Sequence, residues 1–400
     1  MRRALLVLGT LALAGCGRGG VVGAPAAEPI RAGCVERFEV GADLFPDKVE
    51  IRHAAHFSVT YAGHYKVVRL RARDGHGGGR GEETLVLVQC GTPAPPLTGE
   101  LAGASVVEVP ARTVAVGAPS DAARLTALGL AERIVALGSE KIFDPVLRRR
   151  WEAGELPLIG DASHGAPNYE TLVELRPDLT LLFAADPARA EGPRRLRALG
   201  LAAAPTYAWS ESDVLAQAEW VKYVALFFNA EAAAERFYAG VESRYQELAE
   251  TARTVPAPRT AFWGGPTDGD RWWVERSGPE ARLLAEAGAV NVLADPTAGP
   301  WAALDTGALL DRAGSAEVWI TNARSEREWN ARFDLNALRA WREGRAWHYH
   351  RRVDLATGAY DWNETALVRP DLVLADLVAV LHPDLLPGHR PLFFAAVERG

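Results

Sequence analysis

A run in the middle of the chain, Leu156–Phe183, predicts a polar loop, a capped helix, an abrupt stop and a buried strand. Asn168 is a good helix N-cap because its side-chain oxygen can accept a first-turn N–H. Pro177 cannot continue the helix and disfavours helical geometry at the residue before it. Leu179–Phe183 is almost continuously apolar, as expected of a strand covered on both faces. This order of elements predicts an α/β fold with a mainly parallel sheet.

Three motifs lie together in this run: Gly160, then Pro167-Asn168-Tyr169-Glu170, then Leu175-Arg176-Pro177-Asp178-Leu179. They resemble the first-lobe signature of the class III periplasmic binding proteins, the solute receptors of ABC importers for iron–siderophores, haem and cobalamin. The resemblance spans roughly residues 112–390. It implies two Rossmann-like α/β lobes joined by a long helix, with the ligand cleft between them. It also implies no resident cofactor, since metal enters only as part of the bound chelate.

The division of the chain into domains follows from these patterns. With 400 residues, 48% of them hydrophobic, the chain can build two or three domains. Residues 34–109 do not match the family core, and alternating residues on either side of Ala62-Gly63-His64 predict a small β extension that begins with a hairpin. Residues 110–211 form the N-terminal lobe and residues 255–400 the C-terminal lobe. Residues 212–254 predict one connecting helix, or two consecutive helices that break near Asn229.

The N-terminus predicts export and a lipid anchor. Arg2 and Arg3 precede an apolar stretch at residues 4–14 that is too short to span a bilayer as a mature helix. The stretch ends in Leu-Ala-Gly-Cys at Cys16, which resembles a bacterial lipobox, so residues 1–16 would be the signal and Cys16 the lipidated residue. An ordinary signal peptide is the alternative. Residues 17–33 are rich in Gly, Ala and Pro and predict a flexible tether. We therefore expect the protein in the periplasm or on the outer face of the cytoplasmic membrane.

Export also bears on the two remaining cysteines. Cys34 and Cys90 would enter an oxidising compartment, where an even pair suggests a disulfide; two buried free thiols are the alternative.

The net charge is −7 and no long basic stretch occurs, which argues against a nucleic-acid partner. We expect a monomer that docks onto an ABC importer permease.

Candidate ligand-binding residues lie in loops at the ends of strands, because binding sites of two-lobed receptors lie between the domains. By the resemblance, His164 falls where cobalamin receptors place an aromatic ring, and Asp361 and Trp362 fall where they contact ligand. Aromatic faces suit a conjugated or catecholate ligand, and basic groups suit an anionic chelate. The predicted residues are Lys141, Phe143, His164, Trp263, Trp272, Arg276, Tyr360, Asp361 and Trp362, with Asn322 as a further candidate.

Alternatives remain for several of these residues. Each tryptophan would equally fill a core, and Arg276 would equally pair with Glu275 or Glu280. The histidines of the extension (His53, His56 and His64) and the pair His348 and His350 lack further ligands at metal spacing, so we expect surface positions and no metal site.

Acidic residues at the lobe tips are the candidates for transporter docking. In the resembled family, one carboxylate per lobe contacts arginines of the transporter. Glu170 matches the first-lobe position, where it would also favour the first turn of a helix. The second-lobe position, counted from Trp301, holds Gly307, so Asp305 or Asp311 would have to substitute. We take Glu170 and Asp305 as the docking pair.

Together these features predict a lipid-anchored solute-binding protein that captures a metal chelate and hands it to an importer. An iron–siderophore is the first candidate ligand, followed by cobalamin or another corrinoid, and then haem. Two alternatives from other classes are a two-lobed metal-dependent enzyme and a surface lipoprotein that binds another protein. The sequence contains no G-x-S-x-G, H-E-x-x-H or P-loop motif and no paired cysteine ligands, so we expect no enzymatic activity.

Overall fold

The computed structural model describes residues 33–72, 81–160, 166–184, 190–267, 270–329 and 333–399. The predicted signal and lipobox, most of the tether, and His164 lie outside these ranges. Among the described residues, no helix combines the length and apolar character needed to cross a membrane.

Residues 33–109 form a β extension. Its four strands are β1 (Phe57–Ala62), β2 (Tyr65–Ala72), β3 (Gly81–Gln89) and β4 (Ser105–Val109), in that order across the sheet. The predicted β1–β2 hairpin is present, β3 continues it antiparallel, and β4, which we did not predict, runs parallel to β3. A disulfide joins Cys34 to Cys90, with the two Cα atoms 4.7 Å apart, and ties the start of the extension to the end of β3.

Buried charges dock the extension onto the rest of the chain. The Lys66 ammonium is fully buried; it pairs with Glu231 and donates to Asn229 Oδ1 at 2.9 Å. The buried Glu219 carboxylate accepts the backbone N–H groups of residues 52–54 at 2.7–2.9 Å. One apolar core runs from this sheet through the first lobe to the helices that follow it. The extension is therefore an integral part of the first lobe.

The first lobe is a four-stranded parallel sheet with strand order β6-β5-β7-β8. Its elements are β5 (Val114–Val116), α1 (Pro119–Ala127), β6 (Ile134–Leu137), α2 (Pro145–Glu152), α3 (Tyr169–Leu175), β7 (Leu179–Phe183), α4 (Glu191–Ala198) and β8 (Ala203–Thr206).

The local sequence signals explain most of these boundaries. Asn168 caps α3 by accepting the Thr171 N–H at 3.2 Å. Arg176, held before Pro177, adopts a left-handed φ of 46° that ends the helix. α1 begins at Pro119, without a side-chain cap, because proline at the first helical position needs no N–H partner.

The segment between the lobes is two consecutive helices, α5 (Val214–Leu226) and α6 (Glu231–Arg253). The break falls at Asn229, whose φ of 52° is in the left-handed region that asparagine tolerates. Its side-chain amide donates to Gln89 Oε1 at 2.8 Å, so the extension holds the break in place. Of the two arrangements considered for residues 212–254, the structure has the broken one.

The second lobe is built on a mixed sheet with strand order β12-β10-β9-β13-β14-β17 and with β11 beside β9. β11, β13 and β14 extend β9 in parallel, whereas β10, β12 and β17 pair antiparallel with their neighbours. The elements are β9 (Arg259–Pro266), β10 (Arg271–Glu275), α7 (Pro279–Glu286), β11 (Ala289–Asn291), β12 (Trp301–Asp305), α8 (Thr306–Ala313), β13 (Val318–Thr321), α9 (Arg339–Arg342), β14 (Ala346–His348), β15 (Val353–Asp354), β16 (Ala359–Tyr360), α10 (Thr365–Val368), α11 (Pro370–Leu381) and β17 (Ala395–Ala396). The mainly parallel arrangement therefore holds for the first lobe only.

Alternation along the strands gives this sheet two different cores. Trp263, Val318 and Ile320 lie on the face that packs against α6, α7 and α11. Phe262, Trp272 and Trp319 lie on the opposite face, in a separate core. Adjacent residues of a strand point to opposite faces, so this division follows from the register.

Candidate functional site

Three aromatic side chains meet near the carboxyl end of the parallel strands in the second-lobe sheet. The Trp263 ring lies 5.3 Å from the Tyr349 ring and 5.9 Å from the Trp362 ring, centroid to centroid, and Tyr349 lies 4.5 Å from Trp362. Trp263 is 1% exposed, whereas the other two are half-buried. β9 and β14 belong to the parallel part of the sheet, and ligands of such sheets bind beyond the carboxyl ends of the strands. We call these three residues the aromatic group.

A histidine and a tyrosine continue this group. The His350 ring lies 4.5 Å from Tyr349 and 4.1 Å from Tyr360. Burial lowers the pKa of His350 to about 4, and burial together with the charge of His350 lowers the pKa of His348 to about 4. Both imidazoles are therefore neutral at neutral pH. The expectation that His348 and His350 lie at the surface is wrong, because His348 is buried and His350 is covered by the two tyrosines.

Two carboxylates lie beside the aromatic group. Glu275 ends β10, and Glu280 lies in the first turn of α7. A Cβ placed on Gly278 would be 3.2 Å from Glu275 Oε2 and 3.8 Å from Glu280 Oε2, so the two carboxylates lie close to one point. Burial, reinforced by the charge of Glu280, raises the pKa of Glu275 to about 8, and burial raises the pKa of Glu280. Burial and then the charges of both carboxylates raise the pKa of Tyr349.

A small crevice of about 30 Å³ adjoins Trp362 and Glu280. It lies among α5, α7, α10 and α11, where the connecting helices meet the second lobe. This volume holds only about one or two water molecules and is far below the range for small-molecule sites. The lining residues are Val214, Gln217, Glu280, Leu283, Trp362, Ala366, Leu367, Pro370 and Val373.

The segment that carries Trp362 also contacts the first lobe. The Glu364 carboxylate accepts the backbone N–H of Phe143 and, at 2.9 Å, that of Asp144. Burial raises the pKa of Glu364 to about 8, although the two N–H donors oppose this. α10, directly after Glu364, packs on α1 and α5. The two lobes are therefore joined beside the aromatic group.

Arginines complete this contact between the lobes. Arg148 of α2 pairs with Asp354 of β15. Arg352 lies over the Phe143 ring, with its guanidinium carbon 5.0 Å from the ring centroid, and pairs with Asp361. Phe143 is thus covered by a cation from the opposite lobe.

Several predicted ligand-binding residues therefore come together: Phe143, Trp263, Tyr360, Asp361 and Trp362 lie around this edge of the sheet. Asp361 is buried; it pairs with Arg352 and accepts the Thr365 N–H at 3.2 Å, so its carboxylate is already engaged.

The structure does not bring Trp272 and Arg276 to this edge. Trp272 is buried in the opposite core; its ring lies 5.4 Å from Trp319, and its N–H donates to Thr306 Oγ1 at 3.3 Å. Arg276 pairs with Asp295, rather than with Glu275 or Glu280. Lys141 is exposed on the first-lobe loop. Of the two predicted basic residues, Arg276 is engaged by Asp295, whereas Lys141, two residues before Phe143, stays a prediction.

The two predicted docking acids lie on the surface. Glu170 is exposed in the first turn of α3. Asp305 is exposed and caps α8 by accepting the Ala308 N–H at 2.8 Å. Both positions are accessible to a large partner.

No group of three or more His, Cys, Asp or Glu side chains suited to a metal ion occurs within the described ranges. The histidines of the extension bind separate partners. His53 contacts Glu242 at 2.7 Å, His56 contacts Ser210 Oγ at 3.0 Å, and His64 contacts a backbone carbonyl at 3.1 Å. His56 is buried, contrary to the expected surface position.

Sequence reasoning missed Glu275, Glu280, Tyr349, Arg352 and Glu364 as site residues. Glu364 lies two residues after the predicted Trp362, but its partner in the first lobe is 220 residues away. The only local signal was the recurrence of acidic and aromatic residues near predicted strand ends.

Comparison with known proteins shows where the chain has relatives. A family model described as "Periplasmic binding protein" matches residues 114–357. An uncharacterized lipoprotein of Methanocaldococcus jannaschii is 22% identical over 305 residues, which cover 72% of this chain and 69% of the relative. The family match begins just after the β extension.

Solved structures share the fold at low sequence identity. The periplasmic heme-binding protein RhuT from Roseiflexus sp. RS-1, in apo form, is 17% identical with a TM-score of 0.51, covering 69% of this chain and 99% of its own. A periplasmic heme-binding protein from Pseudomonas aeruginosa is 17% identical with a TM-score of 0.52, covering 72% and 98%. A periplasmic binding protein from Veillonella parvula is 13% identical with a TM-score of 0.52, covering 79% and 98%.

Proposed function

The chain belongs to the periplasmic binding protein family, and we propose that it is the solute receptor of an ABC importer. It captures a metal chelate outside the cytoplasmic membrane and delivers it to the permease without performing chemistry. An iron–siderophore is the first candidate; cobalamin or another corrinoid, and haem, are the alternatives. In this proposal Cys16 carries the lipid anchor, and the receptor acts as a monomer.

The aromatic group is the observation that carries the proposal. Tyr349 and Trp362 lie half-buried, with the buried Trp263 packed behind them, near the carboxyl end of the parallel strands where ligands of such sheets bind. Trp362 also lines the small crevice beside α10 and α11. Flat or conjugated ligands gain from stacking on such rings. Phe143 of the first lobe lies under the Arg352 guanidinium, so both lobes contribute to the surroundings of the aromatic group.

The relatives support two parts of the proposal. Two of the solved neighbours are heme-binding proteins, which supports a large chelate as the ligand class. The relative from Methanocaldococcus jannaschii is a lipoprotein, which supports the anchor at Cys16. Haem is further favoured as an alternative by the adjacent His350 and Tyr360, since both side-chain types ligate haem iron.

Tryptophan fluorescence tests the proposal. The full chain, purified in detergent, is titrated with ferric siderophores, cobalamin, haem and bare metal ions. Saturable, sub-micromolar quenching by one chelate, without quenching by the bare metal, supports the receptor function and identifies the ligand class. A flat response to every chelate contradicts chelate capture and leaves the protein-binding lipoprotein as the function to examine.

A further inference from the structure

We propose that a hairpin of the second lobe is a lid over the solute site, and that the ion pair between Arg148 and Asp354 latches this lid onto the first lobe. The lid is residues 352–361, which contain β15, β16 and the turn between them. This inference rests on the proposed function and adds the step that admits the solute. The lid must move away before a chelate reaches the aromatic group.

The lid covers part of the aromatic group. The Tyr360 ring of β16 lies 4.1 Å from the His350 ring, centroid to centroid, and His350 lies 4.5 Å from Tyr349. Tyr349 lies 4.5 Å from Trp362. A flat ligand gains from stacking only on a ring face that it can reach. Because His350 and Tyr360 pack one after the other against Tyr349, a solute reaches this ring from their side only after the lid moves.

The same lid covers the candidate ring of the first lobe. The Arg352 guanidinium lies over the Phe143 ring, with its carbon 5.0 Å from the centroid, and pairs with Asp361 at the other end of the lid. A solute that stacks on this face of Phe143 must therefore displace Arg352. The crevice beside Trp362 is too small for a chelate, since its volume of about 30 Å³ holds only about one or two water molecules.

Arg148 of α2 fixes the lid to the first lobe. Its guanidinium pairs with Asp354 of β15 and donates to Thr357 Oγ1 in the turn at 3.3 Å. The Arg148 and Asp354 side chains are 18% and 19% exposed, so water and salt screen this ion pair only in part. The guanidinium also donates to the Ile142 carbonyl oxygen at 2.8 Å, which holds it in place from the first-lobe side. One arginine thus joins the lid to the opposite lobe.

The lid is weakly attached to its own lobe and has fixed ends. β15 and β16 form a two-stranded sheet of their own, apart from the second-lobe sheet. Ala359 is buried, whereas the other residues of 353–360 are partly or fully exposed. Segments with few buried apolar residues open locally at low free-energy cost. On either side of the lid, the Arg351 N–H donates to the Phe393 carbonyl at 3.0 Å, and the Trp362 ring lies 6.0 Å from the Phe393 ring. The lid can therefore open while its ends stay in place.

Chemical labelling of His350, measured by mass spectrometry, tests the lid without a solute. Diethyl pyrocarbonate modifies neutral imidazoles, and His350 is neutral at neutral pH. We expect Arg148→Gln to raise the rate of His350 modification in the full chain about tenfold, because the lid over this ring is released. Asp354→Asn breaks the same ion pair, leaves the bond from Arg148 to Ile142 intact and should give the same increase. Arg149→Gln, an exposed change on α2, is the matched control and should leave the rate unchanged.

Association kinetics connect the lid to the solute. The full chain in detergent is mixed rapidly with haem, cobalamin or a ferric trihydroxamate, and the quenching of tryptophan fluorescence is followed in time. With a chelate that binds, the observed rate should level off at high concentration, because lid opening then limits association. Arg148→Gln should raise this limiting rate about tenfold, and Arg149→Gln should not change it.

The outcomes separate this inference from the proposed function. Equal rates of His350 modification in Arg148→Gln and the unaltered chain overturn the latch. Faster modification with an unchanged association rate overturns the lid as a gate and leaves chelate capture standing. If none of the three chelates binds, the proposed function fails, and the labelling decides on the lid: an increase in both latch variants supports it, and no increase rejects it. If Arg148→Gln does not fold, Asp354→Asn decides by the same two rates.

Discussion

Glu364 in the second lobe accepts a hydrogen bond from the backbone N–H of Asp144 in the first lobe, over 2.9 Å and a sequence separation of 220 residues. Asp144 is also the N-cap of α2, so Glu364 binds the backbone at the residue where this helix begins. The loop that carries Phe143 is therefore held to the second lobe by its backbone. This connection depends on one side chain and can be removed by substitution.

The variant Glu364→Ala should free this loop. We expect hydrogen exchange at the Phe143 and Asp144 amides to increase at least about tenfold, because their carboxylate acceptor is gone. Glu343→Ala, at an exposed residue that pairs with Arg339, is the control and should leave both amides unchanged. Unchanged protection in Glu364→Ala would show that the contact between the lobes does not depend on this carboxylate.

The raised pKa of Glu275 predicts a pH dependence of stability. Its folded pKa is about 8, against an ordinary value of 4.5. The Glu275 carboxyl therefore binds its proton more tightly in the folded chain than in the unfolded chain. Its contribution to stability is full below about pH 4.5 and is lost as the pH rises to about 8. Between about pH 6.5 and 9, the Tm of Glu275→Gln should fall less than that of the unaltered chain. His348 and His350 stay neutral in this window, because their pKa values lie near 4. An equal fall in both proteins would contradict the raised pKa.

The variant Trp362→Ala should weaken ligand binding by about 1–3 kcal/mol, because it removes one stacking face. Isothermal titration with the chelate identified by fluorescence measures the change. Trp272→Phe is the control, since Trp272 lies in the core on the other face of the sheet and its replacement should leave the affinity unchanged. Unchanged affinity in a folded Trp362→Ala variant would remove Trp362 from the site.

The variant Glu170→Ala should leave ligand affinity intact and reduce uptake by cells, if Glu170 contacts the transporter. Glu170 is exposed and far in sequence from the aromatic group, so its removal should not disturb the site. Glu174→Ala, another exposed change on α3, serves as the control for both measurements. Weakened ligand binding in Glu170→Ala would argue against a docking role, and normal uptake would do the same. The corresponding variant of the second lobe is Asp305→Asn, which removes the charge but can still cap α8. It should likewise reduce uptake and leave ligand affinity intact.

The elements that the sequence predicts well are those with local causes. Asn168, Pro177 and the apolar run that follows define α3 and β7 without reference to the rest of the chain, and Pro370 starts α11 in the same way. β4 was missed because its pairing with β3 is parallel and requires a partner that local alternation does not show. The second sheet was expected to be mainly parallel, but the antiparallel pairing of β10, β12 and β17 makes it mixed, and strand direction depends on partners that local alternation does not show.

The site was only partly predictable, for a different reason. Trp263 and Trp272 are both buried tryptophans of one sheet, yet strand register sends them to opposite faces, and only one joins the aromatic group. Arg276 pairs with Asp295 rather than with either acid considered for it. Such pairings depend on how separate elements meet in space, which composition and motif spacing do not determine.

One feature of the connecting segment limits how the protein can work mechanically. α6 begins in the first-lobe core, around Tyr238, and ends in the second-lobe core, around Ala249. Its 23 residues form a rod of roughly 35 Å. The break before it, at Asn229, is clamped by Lys66 and Gln89 and cannot serve as a pivot. A continuous helix anchored in the cores of both lobes bends little, so we expect the two lobes to move little relative to each other. Under the proposed function, solute entry and exit would then rely on the loops around the site, and release would require the permease to move these loops.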